Sequence, residues 1–143
     1  MKQGEIYRVL DDGEEPKTEQ RIAHTEWGDD ATPRWYVVVS RDDLNNGESV
    51  VGIPLSTTNL EEREGYKNHA ILRKELNPGL LASCAAQAEL IRLVGKWELD
   101  PTPMTRIVGA EFERVLSAIG YMVDAFVFRD VLDIPNDDEP TLW

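Results

Sequence analysis

The sequence predicts an α+β domain, a small, curved, mainly antiparallel sheet followed by a C-terminal amphipathic helix. Three observations predict it. Short runs of alternating or continuous apolar residues, bounded by turn residues, recur through the first two thirds of the chain. One of them, Trp35-Tyr36-Val37-Val38-Val39, is wholly aromatic and β-branched, as expected of a strand buried on both faces. From about Ile107 to Phe126 the apolar spacing changes from that of a strand to that of a helix. Without helices between the strands, a doubly wound sheet is excluded.

Each element follows in order. Glu5 to Leu10 alternates, with Ile6 and Arg8 on one face and Tyr7 and Val9 on the other, and reads as a first strand. Residues 11–33 show no hydrophobic period and form a long acidic loop, a length more often functional than incidental. Strand two covers 35–40, with Arg34 at its loop-side end and Ser40 at the other. Asn45-Asn46-Gly47 tolerates positive φ and turns the chain into strand three, Ser49 to Leu55, making a hairpin. Pro54 lacks a donor, so it predicts a strand end or a bulge. A second polar loop runs from Ser56 to about Lys67. Strand four covers 68–72, and Leu76 to Leu80 is a turn. Ser83 to Val94 reads as a fifth strand bent near Gln87–Glu89, although its alanines leave a helix open. Gly95 to Pro103 is a connection. In the helix, Val108, Phe112, Val115, Leu116, Ile119, Met122, Val123 and Phe126 form the apolar stripe, while Glu111, Glu113 and Arg114 face away.

The chain of 143 residues fits one domain, at 1–128, with an acidic tail at 129–143 expected to be extended or disordered. No apolar run approaches the roughly 20 residues of a membrane span, and the N-terminus lacks the apolar core of a signal peptide. The expected compartment is the cytoplasm. A single cysteine, Cys84, excludes an internal disulfide and reads as a core residue. The net charge of −12 argues against generic nucleic-acid binding, but it is unevenly spread. Residues 11–30 carry −6 and residues 127–143 carry −4, so the remaining scaffold is close to neutral. The two acidic segments are solubilising, or they shield a cationic site. The tail, which ends in Leu142-Trp143, also has the composition of a peptide that would fill a cationic groove.

Several chemistries fall away. The chain has no Gly-rich phosphate loop, no paired-histidine metal motif and only two histidines, His24 and His69, so no metal site and no cofactor are expected. Metal-free acid–base chemistry on an anionic substrate remains. Cleavage of RNA by its own 2′-OH needs a group to activate that hydroxyl, a cation for the phosphorane-like charge and an acid for the leaving 5′-oxygen. Arg34 can supply the cation as a bidentate fork. Ser56, just past a strand, can hydrogen-bond a phosphate oxygen or the 2′-OH. Glu89 or His24 can move a proton.

Five short motifs, in order through about residues 3–126, make the chain resemble the MazF/PemK family of toxin endoribonucleases from bacterial toxin–antitoxin systems. They are Gly4-Glu5-Ile6-Tyr7; Arg34 with Val37-Val38-Val39-Ser40; Asp42 with Leu44-Asn45; Val50 to Ser56; and Glu89 with Arg92 and Val94. The resemblance implies an SH3-like curved barrel, a homodimer, and metal-independent cleavage of single-stranded RNA in a groove that also takes the tail of a cognate antitoxin. Arg34 then stands at the family's catalytic Arg, Ser56 at its catalytic Thr, and Glu89 at an acidic position some members use as base. Glu19, Gln20, His24, Thr57 and Arg92 are the expected RNA contacts. Trp35 stands where the family has Pro, and Leu90 where it has Gln. A second reading keeps the fold without cleavage. The chain would then be a binding module, or a toxin aimed at gyrase like the poison CcdB, which shares the fold. The charge of −12 and Trp35 favour that reading.

Overall fold

Strand β1 (Glu5–Arg8) starts a curled antiparallel sheet in the computed structural model, which describes residues 1–10 and 35–123. It is followed by β2 (Trp35–Val38), β3 (Ser49–Ser56), a one-turn helix α1 (Leu60–Arg63), β4 (His69–Leu72), β5 (Cys84–Gln87), β6 (Arg92–Gly95), β7 (Thr105–Arg106) and the helix α2 (Gly109–Val123). The strand order is β4-β5-β3-β2-β1-β7, with β6 also on β3, and every pairing is antiparallel. The α+β class and the curved antiparallel sheet expected from the sequence are therefore what is observed. Arg34, the acidic loop with Glu19, Gln20 and His24, the expected last helical turn at Phe126, and the acidic tail lie outside the described residues.

Strand alternation divides the apolar residues between two cores. Ile6, Trp35, Val37, Val39, Ile53 and Leu55 face α2 and pack with its Phe112, Val115 and Ala118. Tyr7, Tyr36, Val38, Val50, Val94 and Leu99 form a smaller core on the other face. The run from Trp35 to Val39 is apolar throughout because it feeds both. Trp35 is completely buried.

Strand β3 organises the sheet. One edge pairs with β2, and the other pairs with β6 through Ser49–Gly52 and with β5 through Leu55 and Ser56. Val39 N–H donates to Val51 O, so the odd-numbered residues of β3 are the ones bonded to β2. The nitrogen of Pro54 thus points to the other edge, in the interval between β6 and β5. Pro54 is inside the strand and not at its end, because that interval needs no donor.

Three further expectations change. The stretch 83–94 is two strands separated by a 3₁₀ turn at Ala88–Leu90, so the bend near Gln87–Glu89 is where β5 ends and the strand leading back to β3 begins. Strand β7 was not expected. It is two residues long and is held by β1, through Glu5 opposite Arg106 and Ile6 opposite Thr105. The helix buries a narrower face than its apolar stripe. Phe112, Val115 and Ala118 are buried and Ile119 packs beside them, whereas Val108 and Leu116 are exposed. Glu111 does not simply face water, since it accepts a 2.9 Å hydrogen bond from Asn77 Nδ2.

Two tertiary ties hold the ends of the sheet. Gly4, at φ +90°, donates to Val38 O and accepts from Ile107 N, and a Cβ there would lie 2.2 Å from Ile107 O. That close approach is the reason for a glycine. Arg8, on the Trp35 side of β1, is buried, and its Nη2 lies 3.9 Å from the buried carboxylate of Asp100.

Cys84 is fully buried, as the sequence suggested, and burial pushes its thiol up to about 12 from 9.0. The thiol is expected to stay silent to an aromatic disulfide reagent at mildly alkaline pH until the protein is denatured. A folded-state value above the unfolded one means that this group's stabilisation is complete below about pH 9 and is lost as pH rises toward 12. Denaturant midpoints taken across that window are expected to fall, and less steeply in Cys84→Ala.

Candidate functional site

Pairing and alternation bring the polar candidates to one face of the sheet, opposite α2. Ser56 pairs with Ala85, Gln87 with His69, Tyr36 with Pro54 and Arg92 with Gly52. Paired residues share a face, and residues two apart along a strand share it as well. Ser56, Gln87, His69, Tyr36 and Arg92 therefore stand on the side away from the larger core. Past Ser56 the chain turns sharply at Asn59, whose φ of 53° is left-handed. Asparagine tolerates that conformation better than most residues. The turn folds α1 back over β4 and β5.

The hydroxyl of Ser56 is the inner end of a short network. Ser56 Oγ lies 3.0 Å from Thr58 Oγ1 and accepts the Thr58 N–H at 3.3 Å. Arg63 reaches back from α1. Its Nε donates to Thr58 O at 2.8 Å and its Nη1 to Gln87 Oε1 at 3.0 Å. Two hydroxyls and a guanidinium thus converge where β3 ends, on residues that β5 helps to hold. Such a group can donate several hydrogen bonds to a tetrahedral oxyanion.

Next to it, Glu89 sits on the 3₁₀ turn after β5. It accepts from Asn68 Nδ2 at 3.0 Å and faces His69 Nε2 at 2.9 Å. An ionised carboxylate only accepts, so the neutral imidazole must carry its proton on Nε2. The ring is 5 % exposed and meets the Tyr66 ring edge-on at 5.3 Å. The contact with Glu89 fixes the tautomer of the neutral ring.

The predicted residues fall into three groups. Ser56 is at the centre of the network, and Thr57 lies beside it in the chain. Glu89 turns to His69 and Asn68, with no bond to Ser56. Arg92 is set against Tyr36, donating to its hydroxyl at 3.1 Å with its guanidinium carbon 5.6 Å from the ring centre, and also reaches the Glu98 carboxylate at 3.3 Å. The hydrogen bond to Tyr36, reinforced by Glu98, holds the Arg92 pKa above the usual arginine value. Its charge is thus largely answered within the protein. Gly52 permits this stack, because a Cβ there would lie 3.2 Å from the Tyr36 ring. Arg34, Glu19, Gln20 and His24 lie outside the described residues.

Sequence reasoning missed Arg63, Thr58, Gln87 and the role of His69. Arg63 sits in the run Glu61-Glu62-Arg63-Glu64, which reads as solvated charge. Only the fold places it against Gln87. Among the described residues no cluster of histidine, cysteine and carboxylate side chains is arranged to hold a metal ion.

Comparison with known proteins bears on the family and the fold. A family model described as PemK-like, MazF-like toxin of type II toxin–antitoxin system matches residues 2–123. Among solved structures, a mycobacterial endoribonuclease in complex with its cognate antitoxin aligns with a TM-score of 0.60 at 18% identity, covering 86% of this chain and 94% of that one. The Mycobacterium tuberculosis toxin MazF-mt6 aligns with a TM-score of 0.57 at 14% identity, covering 84% and 96%. A further mycobacterial endoribonuclease aligns at 0.58 and 18% identity, covering 86% and 90%. At these identities the structures speak for the fold. No curated protein matches the chain by sequence.

Proposed function

This chain belongs to the PemK-like, MazF-like toxin family of type II toxin–antitoxin systems, and from that premise we propose that it is an endoribonuclease toxin. It cleaves single-stranded RNA without a metal ion. The 2′-oxygen attacks phosphorus, the bond to the 5′-oxygen breaks, and the products are a 2′,3′-cyclic phosphate and a free 5′-hydroxyl. The proton leaves the 2′-OH for a base, and an acid returns one to the 5′-oxygen. The observation that carries the reading is the group of donors around Ser56 at the end of β3. Ser56 binds a nonbridging oxygen or the 2′-OH. Arg34, one residue before β2, supplies charge to the phosphorane. The His69–Glu89 pair, with His69 paired to Gln87 on the same face, is the proton carrier.

A cognate antitoxin is the expected protein partner. A homodimer is supported by Leu93 and Trp97, which are 65% and 79% exposed on and just after β6, a strand whose one pairing partner among the described residues is β3. Large apolar side chains exposed beside a strand edge are commonly covered by a second chain. No helix among the described residues is long and apolar enough to cross a membrane.

The test is purified protein incubated with single-stranded RNA in EDTA. Cleavage at internal sites is expected to persist with chelator, and Arg34→Ala is expected to lower it by about 10²-fold or more. If the wild-type protein leaves RNA intact and instead retains gyrase, the chain is a non-catalytic relative.

A further inference from the structure

We propose that Arg63 is a preformed binding point for a backbone phosphate of RNA at the end of β3. The proposal deepens the RNA-directed reading above and rests on it. Arg8, Arg41, Arg73, Arg92, Arg106 and Arg114 each lie within 4 Å of a carboxylate. Arg63 has no carboxylate at that distance among the described residues, in a chain whose net charge is −12. The nearby acids are turned elsewhere. Glu62 accepts from the Tyr66 hydroxyl, Glu64 pairs with Arg73, and Glu89 is taken by Asn68 and His69.

Arg63 is nevertheless held in place. Its two partners, Thr58 O and Gln87 Oε1, are both uncharged. They orient the guanidinium without neutralising it. Two of its five N–H groups are used, and the other three can still donate. Much of the side-chain entropy that an arginine loses on gripping a ligand has been lost already on folding. Arg63 is bonded to the main chain of Thr58, whose hydroxyl lies 3.0 Å from that of Ser56. A phosphate diester, singly charged and with two nonbridging oxygens, suits one guanidinium and two hydroxyls. Arg92, one of the RNA contacts the family resemblance implies, is already paired with Glu98.

The competing reading is that Arg63 merely ties α1 to β5. Two variants separate them. Arg63→Gln removes the charge and keeps an amide that can donate. Gln87→Met removes one tether and keeps the charge. The probe is a fluorescent 2′-O-methyl oligoribonucleotide, which lacks the attacking hydroxyl, so binding is read whether or not the protein cleaves RNA. Wild type is expected to bind with a marked salt dependence. Arg63→Gln is expected to reduce the slope of log affinity against log salt by about 0.7, the loss of one phosphate contact on a single strand. Gln87→Met is expected to keep the wild-type slope. An unchanged slope in Arg63→Gln overturns the proposal, and so does equal weakening in both variants accompanied by equal falls in melting temperature. Failure of the wild type to bind the oligonucleotide, with Arg63-dependent binding of an acidic peptide in its place, overturns it in favour of a carboxylate site. Arg63-dependent binding by a protein that cleaves no RNA supports this proposal and refutes the cleavage reading alone.

Discussion

Truncating Trp35 to alanine is expected to remove about 3–5 kcal/mol of folding stability, measured as the shift in a urea or guanidinium denaturation curve. Trp35 is the largest fully buried side chain, at 0% exposure, and packs among Ile6, Val37, Ile53, Leu55 and the α2 residues Phe112 and Val115. Its position makes the loss hard to relax. The Cα of Trp35 is paired with that of Arg8 on β1, and its strand is paired with β3 on the other side, so the backbone cannot close on the cavity without breaking a ladder. A domain of this size has only about 5–15 kcal/mol in total, so the variant is expected to lie near its unfolding threshold. Trp35→Phe is expected to lose less. A loss under about 1 kcal/mol for the alanine variant, the scale of an ordinary substitution, would mean that Trp35 does not fill this core. The same packing accounts for a tryptophan where the family has proline. Trp35 is a core residue on the face toward α2, whereas Ser56 faces the opposite side.

Ser56→Ala is expected to behave in the opposite way, with cleavage falling by about 10²–10³-fold and the fold retained. Ser56 is buried, and among the described residues its hydroxyl bonds only Thr58. Losing those hydrogen bonds costs on the order of 1 kcal/mol, too little to unfold the domain. For the reaction the loss is larger, because a donor aimed at developing charge matters most in the transition state. The decisive measurement is kcat/KM on a single-stranded RNA beside the melting temperature of the same preparation. Unchanged cleavage would remove Ser56 from the mechanism. Parallel losses of cleavage and melting temperature would make its role structural.

Most of the scaffold could be read from local pattern. The Trp35–Val39 run announced a strand buried on both sides because a residue set with no polar member has no face to give to water. The Asn45-Asn46-Gly47 turn announced the hairpin between β2 and β3. The change of apolar period announced α2. Elsewhere the pattern failed for a common reason. Pro54 looked like a strand end or a bulge, but a missing donor is harmless where β3 passes from β6 to β5. Thr105–Arg106 has no strand signature, and becomes a strand only because β1 presents an edge to it. Val108 belongs to the helical stripe by spacing, yet the helix starts only at Gly109, and Leu116 on the helix stays exposed.

The site divides along the same line. Ser56 and Glu89 were nominated by type and order along the chain, with help from the family resemblance. Arg63 was not, since an arginine among glutamates reads as solvated charge until its neighbours are seen to be engaged elsewhere. Glu89 was read as a base acting alone, and the structure pairs it with His69. The sequence by itself determined the class of fold, the hairpin of β2 and β3, the burial of Cys84 and the family. Local spacing carries these, because hydrophobic period and turn chemistry act over a few residues. Only the tertiary structure decided which charges are answered and which are left to meet a ligand. Among the described residues, Arg8 meets Asp100, Arg92 meets Glu98 and Arg63 meets only neutral acceptors. Charges pair by distance in space, and the fold sets those distances across segments far apart in the chain.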